Sequence, residues 1–288
     1  MTNTLNNKTI LITGSSSGIG KACALHLDIL GFKVYAGVRK QADGDSLKEA
    51  ASDKLTPIIL DVTDAESIKA TANIIEKDND GELYGLVNNA GIGISGVVEV
   101  TPVEEIRKLM EVNVIGLFAV TQAMIPFLRK GKGRIINIGS SSSFIALPGG
   151  SAYSASKFSV RAITDSLRIE LKHLGISVVM VAPGAIESEI WEKRKEYKAE
   201  LRKRVKPEIA EHYKALAKFG DKIEQEIKKI PASEAAKVVA DALTSAKLKY
   251  YYYVGSDARG ASLIAKFPKK LTDWMILKRI NQMVKNDI

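Results

Sequence analysis

The sequence predicts an α/β fold, a doubly wound parallel sheet covered by helices on both faces. Three observations carry that expectation. Residues 8–190 alternate short β-branched runs with longer stretches whose apolar residues recur every three or four positions, the pattern of strands joined by crossover helices. A glycine-rich segment follows the first strand-like run and opens the first helix-like one. The 288 residues, 45% hydrophobic and 26% charged with only 8 prolines, suffice for one large core and exclude a disordered, collagenous or disulfide-built chain.

Strands are expected at Thr9–Thr13, Lys33–Val38, Pro57–Asp61, Leu83–Asn88, Arg134–Ile138 and Ser177–Ala182, each a short apolar run. Between them, helical periodicity fills Ile19–Leu30, Asp64–Lys77, Val103–Leu128 and Tyr153–Leu174. After Pro183-Gly184 the text turns to Lys, Glu and Arg. Within it Ile209, Tyr213, Leu216, Phe219, Ile223, Ile227 and Ile230 mark the apolar face of an amphipathic helix. Lys247–Val254, with tyrosines at 250–253, returns to strand character, and Ala258–Lys285 reads as amphipathic helix interrupted at Pro268. The expected organisation is one domain over 1–288, with a helical insertion at 187–230 and a helical extension at 255–288.

A single cysteine, Cys23, excludes an internal disulfide, and His26, His173 and His212 have no metal-ligand spacing, so no metal site is expected. No run of 18 apolar residues predicts a membrane span; the best, Ile176–Ile186, is short and holds Pro183 and Gly184. The residues from Met1 to Asn7 offer no export signal, and a cytoplasmic protein is expected. The net charge of +9 lies entirely in the C-terminal third: residues 1–190 carry −1 and residues 191–288 carry +10. Such asymmetry suits either a solvated helix face or contact with an anionic membrane surface or acidic partner. No nucleic-acid motif accompanies it.

Thr13-Gly14-Ser15-Ser16-Ser17-Gly18-Ile19-Gly20 connects the first strand to the first helix. Glycines permit a tight turn and close backbone approach, and the helix start offers free N–H groups to a phosphate, so the segment suits a dinucleotide pyrophosphate. The second strand ends in Arg39-Lys40 with no acid at 36–38. An arginine there suits a 2′-phosphate, which points to NADP ahead of NAD. Tyr153 and Lys157 stand four apart on one helical face, where a fixed positive charge beside a phenol favours phenolate and so proton transfer. Ser140-Ser141-Ser142-Ser143 follows the strand Arg134–Ile138 and places hydroxyls where a substrate oxygen could be held.

Taken together, these segments resemble the short-chain dehydrogenase/reductase family over roughly residues 8–190. The matching motifs are the glycine-rich turn, Asn88-Asn89-Ala90-Gly91, Asn113, Asn137-Ile-Gly-Ser140, Tyr153-xxx-Lys157 and Pro183-Gly184. Tyr253-Val-Gly255 and Asp257-Ala258 look like the last strand and loop of members acting on steroid, retinoid or other lipid-like alcohols. The resemblance implies a Rossmann-type domain that transfers hydride between a nicotinamide dinucleotide and a small hydrophobic ketone or aldehyde and its alcohol.

By the same resemblance, Tyr153 is the general acid and Ser140 hydrogen-bonds the carbonyl oxygen. Lys157 binds the nicotinamide ribose and supports Tyr153, and Asn113 holds a water that relays protons. Gly14, Ser16, Ser17, Gly18, Ile19 and Gly20 cradle the dinucleotide, with Asp61 and Val62 at adenine and Asn89, Ala90 and Gly91 along it. Pro183, Gly184, Ile186 and Ser188 border its carboxamide. Three positions depart from the common pattern. Gly139 stands where a serine is frequent, leaving Ser140 as the aligned residue, with Ser141 or Ser142 as substitutes in a shifted register. Ser17 replaces the basic residue of many NADP-specific members, and Ser188 replaces a threonine. The insertion is a candidate substrate lid, and the long helix after Tyr153 implies a homodimer or homotetramer. A second reading is a dinucleotide-binding interaction protein that docks through its basic C-terminal region.

Overall fold

The computed structural model describes residues 8–78 and 81–285; the segment read for an export signal and the last three residues of the expected extension lie outside them. Seven strands form one sheet: β1 (Thr9–Ile12), β2 (Lys33–Val38), β3 (Leu55–Ile59), β4 (Gly85–Asn88), β5 (Arg134–Ile138), β6 (Ser177–Pro183) and β7 (Tyr251–Val254). All pairings are parallel, in the order β3-β2-β1-β4-β5-β6-β7. The doubly wound sheet expected from the sequence is therefore present. The order reverses between β1 and β4, which opens a crevice beyond their carboxyl ends. Pro57 lies on the edge strand β3, where its missing N–H costs little.

Side chains alternate across the pleat and define the two helical layers. Ile10 and Ile12 pack beneath α1 (Gly18–Ile29) and α10 (Ala232–Thr244), against Cys23, Leu27, Val239 and Leu243. Leu11 faces the opposite layer, where α3 (Ala65–Lys77), α5 (Gly116–Gly131) and α6 (Ser151–Glu170) contribute Ile75, Val120 and Val160. Asp64 caps α3 by accepting the N–H of Glu66 at 3.0 Å.

Several elements differ from the sequence expectation. The helix expected over 103–128 is α4 (Val103–Met110), a π-helical turn at Glu111–Ile115, and α5. The stretch Val103–Lys130 is long and apolar enough to cross a membrane, but half of its most apolar window is buried in this fold, where it covers the sheet. Two helices were not anticipated. α2 (Gln41–Glu49) carries few apolar residues, and α10 buries mainly alanines, which give a weak periodic signal.

The stripe from Ile209 to Ile230 is not one helix. The insertion folds as α7 (Ile190–Arg204), α8 (Pro207–His212) and α9 (Lys214–Glu226). Pro207, which lacks an N–H and fixes φ, serves as the first residue of α8 and so forces the break. β7 is confined to Tyr251–Val254, leaving Tyr250 exposed. The extension forms α11 (Ser256–Ile264) and α12 (Lys269–Lys285), divided at Pro268.

Cys23 is fully buried in α1, and burial pushes its thiol up to about 12. Little thiolate then exists near neutrality. A thiol-reactive dye at about pH 8 should leave the folded protein unlabelled for hours and take up one equivalent after unfolding; rapid labelling of the native chain would contradict this packing.

Candidate active site

The glycine-rich turn forms because its three glycines solve two different steric problems. Gly14 and Gly18 have φ of +68° and +54°, in the region that side chains disfavour. Gly20 is held by proximity: a Cβ there would stand 2.2 Å from the Gly14 carbonyl oxygen and 2.5 Å from Asn89 Nδ2. The buried Thr13 hydroxyl accepts the N–H groups of Asn89 and Ala90 at 3.0 and 2.9 Å. Asn89 Nδ2 returns donations to the carbonyls of Thr13 and Gly14, both at 2.9 Å. These bonds lock the end of β1 to the end of β4 beside a glycine-rich backbone that borders the cavity. That shape fits the pyrophosphate of a dinucleotide, with the start of α1 facing it.

Across the crevice, Ser140 and Ser143 stabilise each other's turn. Ser140 Oγ accepts the N–H of Ser142 at 3.1 Å, and Ser143 Oγ accepts the N–H of Ser140 at 3.1 Å. At Gly139 a Cβ would lie 2.6 Å from Met180 sulfur and 3.0 Å from Ser143 Oγ, so a side chain there requires Met180 to shift.

Tyr153 and Lys157 sit in the first two turns of α6, with the ammonium 6.0 Å from the phenol ring centre. The Lys157 side chain is nearly buried, and its Nζ donates to the Ile138 carbonyl at 2.9 Å, which ties it to the end of β5. A buried chain of amides fixes α6 to the sheet beneath. Asn88 Nδ2 donates to Asn137 Oδ1 and Thr121 Oγ1, and Asn137 Nδ2 donates to Thr164 Oγ1, each at 2.9 Å. Asn113, in the π-helical turn, uses its carboxamide on the Ile92 backbone at 2.8 and 3.0 Å and on Ser156 Oγ at 3.0 Å.

One cavity of about 1110 Å³ gathers the expected positions: Gly14, Ser16, Ser17, Gly18, Ile19, Arg39, Asp61, Val62, Asn89, Ala90, Gly91, Ser140, Tyr153, Lys157, Pro183, Gly184, Ile186 and Ser188 all line it. Gly20 and Asn113 lie outside its wall and support it from beneath. Ser141 and Ser142 also border it. Arg39 is exposed at the end of β2, and Asp61 is engaged by the N–H and hydroxyl of Thr63 at 2.9 and 2.8 Å.

A family model described as short chain dehydrogenase matches residues 8–199. The chain belongs to the short-chain dehydrogenase family. Members are NAD(P)-dependent oxidoreductases acting on CH–OH and C=O groups, and this chain is one of them. It is 36% identical to 17-beta-hydroxysteroid dehydrogenase type 6 of Bos taurus over 285 residues, covering 95% of this chain and 89% of that protein. A short-chain dehydrogenase structure from Streptomyces avermitilis superposes with a TM-score of 0.78 at 28% identity, over 97% of this chain and 99% of that one. A Burkholderia cenocepacia short chain dehydrogenase in complex with NADP superposes at 0.71 and 27% identity, over 95% and 98% of the two chains.

Outside the family motifs, the insertion roofs the cavity. Its base is closed by a parallel bridge between Ile186 and Ile230, with Glu187 N donating to Ile230 O at 2.9 Å and Ile230 N to Ala185 O at 3.0 Å. Trp191 Nε1 donates to the Ile186 carbonyl at 2.7 Å. Ile209, Tyr213, Leu216, Phe219, Ile223 and Ile227 all line the cavity, and Leu216, Phe219 and Ile223 also pack on Ile276 and Ile280 of α12. Many of the insertion's charges pair within it. Lys198 pairs with Asp221 and Glu224 at 2.8 and 2.7 Å, Arg202 with Asp221, Lys193 with Glu189, and Lys214 with Glu211.

Two contributors escaped the sequence reading of the site. Arg194 of α7 reaches across the cavity to the Ser95 hydroxyl; its only sequence signal was a place in a charged run. Asp257 was noted only as part of a loop. Its carboxylate accepts Ala185 N at 2.7 Å and Ala258 N at 2.9 Å, and a Cβ on Gly184 would fall 1.8 Å from it. It therefore fixes the Pro183-Gly184 turn. Asp257→Ala should lower unfolding free energy by about 2 kcal/mol, measured by urea titration, since hydrogen bonds to a charged acceptor are among the stronger ones; an unchanged midpoint would show that the turn holds itself.

Proposed function

We propose that the protein is an NADP(H)-dependent oxidoreductase interconverting a hydrophobic ketone or aldehyde and the corresponding alcohol. The observation that carries this reading is the convergence of Ser140, Tyr153 and Lys157 on one cavity that also contains the glycine-rich cradle. The dinucleotide, when bound, supplies or accepts the hydride. In reduction, the Tyr153 phenol donates its proton to the carbonyl oxygen. Ser140, whose oxygen already accepts one N–H, keeps its own proton to give to that oxygen. Lys157, pinned by Ile138, places its ammonium beside the phenol and favours the phenolate left after transfer. Asn113 acts as a positioning residue, holding the loop at Ile92 against α6 by way of Ser156.

The preference for NADP rests on Arg39, which stands at the end of β2 with no acid at 36–38 to favour an unphosphorylated ribose. The complex of the Burkholderia relative with NADP is consistent with it. The apolar lid residues and the likeness to a hydroxysteroid dehydrogenase support a lipid-like substrate. Exposed Phe118 on α5 and Phe158 on α6 support a homodimer or homotetramer through those helices.

The basic C-terminal region favours peripheral membrane contact alongside catalysis rather than a purely docking role. Leu263 of α11, Phe267 of the connection, and Leu271, Trp274 and Met275 of α12 are all exposed, flanked by exposed Lys266, Lys269, Lys270 and Lys278. An apolar stripe rimmed by lysine suits an anionic lipid surface.

Consumption of NADPH, with NADH in parallel, over aliphatic, aromatic, steroidal and retinoid carbonyls tests the enzyme reading. Tyr153→Phe should cut turnover about 10²- to 10⁴-fold, and Arg39→Ala should erode the preference for NADPH; full turnover by Tyr153→Phe would refute the assigned chemistry. Sedimentation with phosphatidylserine vesicles at low salt should carry the protein down, and Lys269→Glu with Lys270→Glu should release it. Wild-type protein left in the supernatant would remove the membrane contact.

A further inference from the structure

Arg194 is out of keeping with the rest of the lid. Its stem passes over Gly93, where a Cβ would lie 3.2 Å from Arg194 Cδ. One guanidinium nitrogen donates to Ser95 Oγ at 2.5 Å. The guanidinium carbon stands 5.9 Å from the Tyr153 ring centre and 5.4 Å from the Trp191 ring centre. Its Nε is shielded from solvent and has no hydrogen-bond partner. An arginine has five N–H donors and keeps its charge, so a partly buried guanidinium with one hydrogen bond, to Ser95, is costly unless something else supplies an acceptor.

The protein does not supply it. Among the described residues, no carboxylate pairs with Arg194, and the lid's acidic residues that border the cavity are already matched to other cations. Arg194 is thus a cation held beside the phenol that meets the carbonyl, in a cavity whose wall also carries the apolar side chains of Leu216, Ile223 and Ile227. Serine hydroxyl and aromatic faces orient the guanidinium but leave its charge uncompensated.

From this arrangement we infer that Arg194 is a substrate-binding residue for a carboxylate, and that the substrate is an amphiphilic oxo acid. Its carboxylate sits within a few atoms of the reacting carbonyl, as in a 2- or 3-oxo acid, and its apolar tail runs along the Leu216, Ile223 and Ile227 side of the lid. This inference rests on the oxidoreductase reading for the position of the carbonyl at Tyr153. It sharpens that reading by giving the substrate a charge that steroid and retinoid alcohols lack.

The test compares a long-chain 3-oxo acid with its methyl ester, which keeps the carbonyl and the tail and removes the charge. Trp274→Phe leaves Trp191, beside the guanidinium, as the only tryptophan, so its fluorescence reports binding without turnover. The acid should bind at least about tenfold more tightly than the ester, the scale of one charge-assisted hydrogen bond. Arg194→Met should abolish that difference while moving ester affinity less than about twofold, and Arg194→Lys should restore part of it. Equal binding of acid and ester by the parent protein would overturn the inference. So would equal weakening of both by Arg194→Met, which would make the side chain a lid strut. A loss of NADPH affinity in Arg194→Met would instead assign the guanidinium to the dinucleotide. Discrimination between acid and ester without turnover of any carbonyl would leave the anion site standing and sink the oxidoreductase reading, so the two fail separately.

Discussion

The contact between the ends of β1 and β4 is the constraint on which the rest of the site depends. The backbones at Gly14 and Ala90 approach so closely that a Cβ on Gly14 would come within 2.8 Å of Ala90 Cα. A parallel sheet with its order reversed between these strands creates a crevice there. What turns the crevice into a cradle is the reciprocal set of bonds between Thr13 and Asn89, in which each side chain satisfies the backbone of the other strand end. Bulk at either strand end would fill the space in which a dinucleotide is proposed to lie.

From that floor the catalytic wall is built by polar groups that the core encloses. Asn88, Asn137 and Thr164 connect β4, β5 and α6 through short bonds in a low-dielectric interior, where leaving any one unpaired is expensive. The chain therefore fixes α6 against the sheet, and with it the spacing of Tyr153 and Lys157 from Ser140. In the proposed reaction, the accuracy of proton transfer comes from this buried scaffold rather than from contacts among the reacting groups themselves.

Much of this was legible in the sequence because it depends on local rules. Glycines needed for positive φ, β-branched runs buried on both faces, and an i, i+4 pair on a helix all leave patterns in the text. The family motifs located eighteen cavity-lining positions, while Gly20 and Asn113 proved to be supports behind the wall. What escaped depends on tertiary placement. The stripe from Ile209 to Ile230 keeps its period across Tyr213, where α8 gives way to α9, so periodicity alone could not show the division. Arg194 and Asp257 reach partners 99 and 72 residues away, and nothing in a charged run or a loop marks such reach.

The bridge between Ile186 and Ile230 brings the two ends of the insertion together at the rim of the sheet. Because the cost of closing a loop rises only slowly with its length, the segment between those isoleucines can lengthen, shorten or be replaced while the frame below keeps its geometry. The roof is thus anchored to the frame at this bridge, and the segment of about forty residues between its ends borders the cavity from above while the strand ends form its floor.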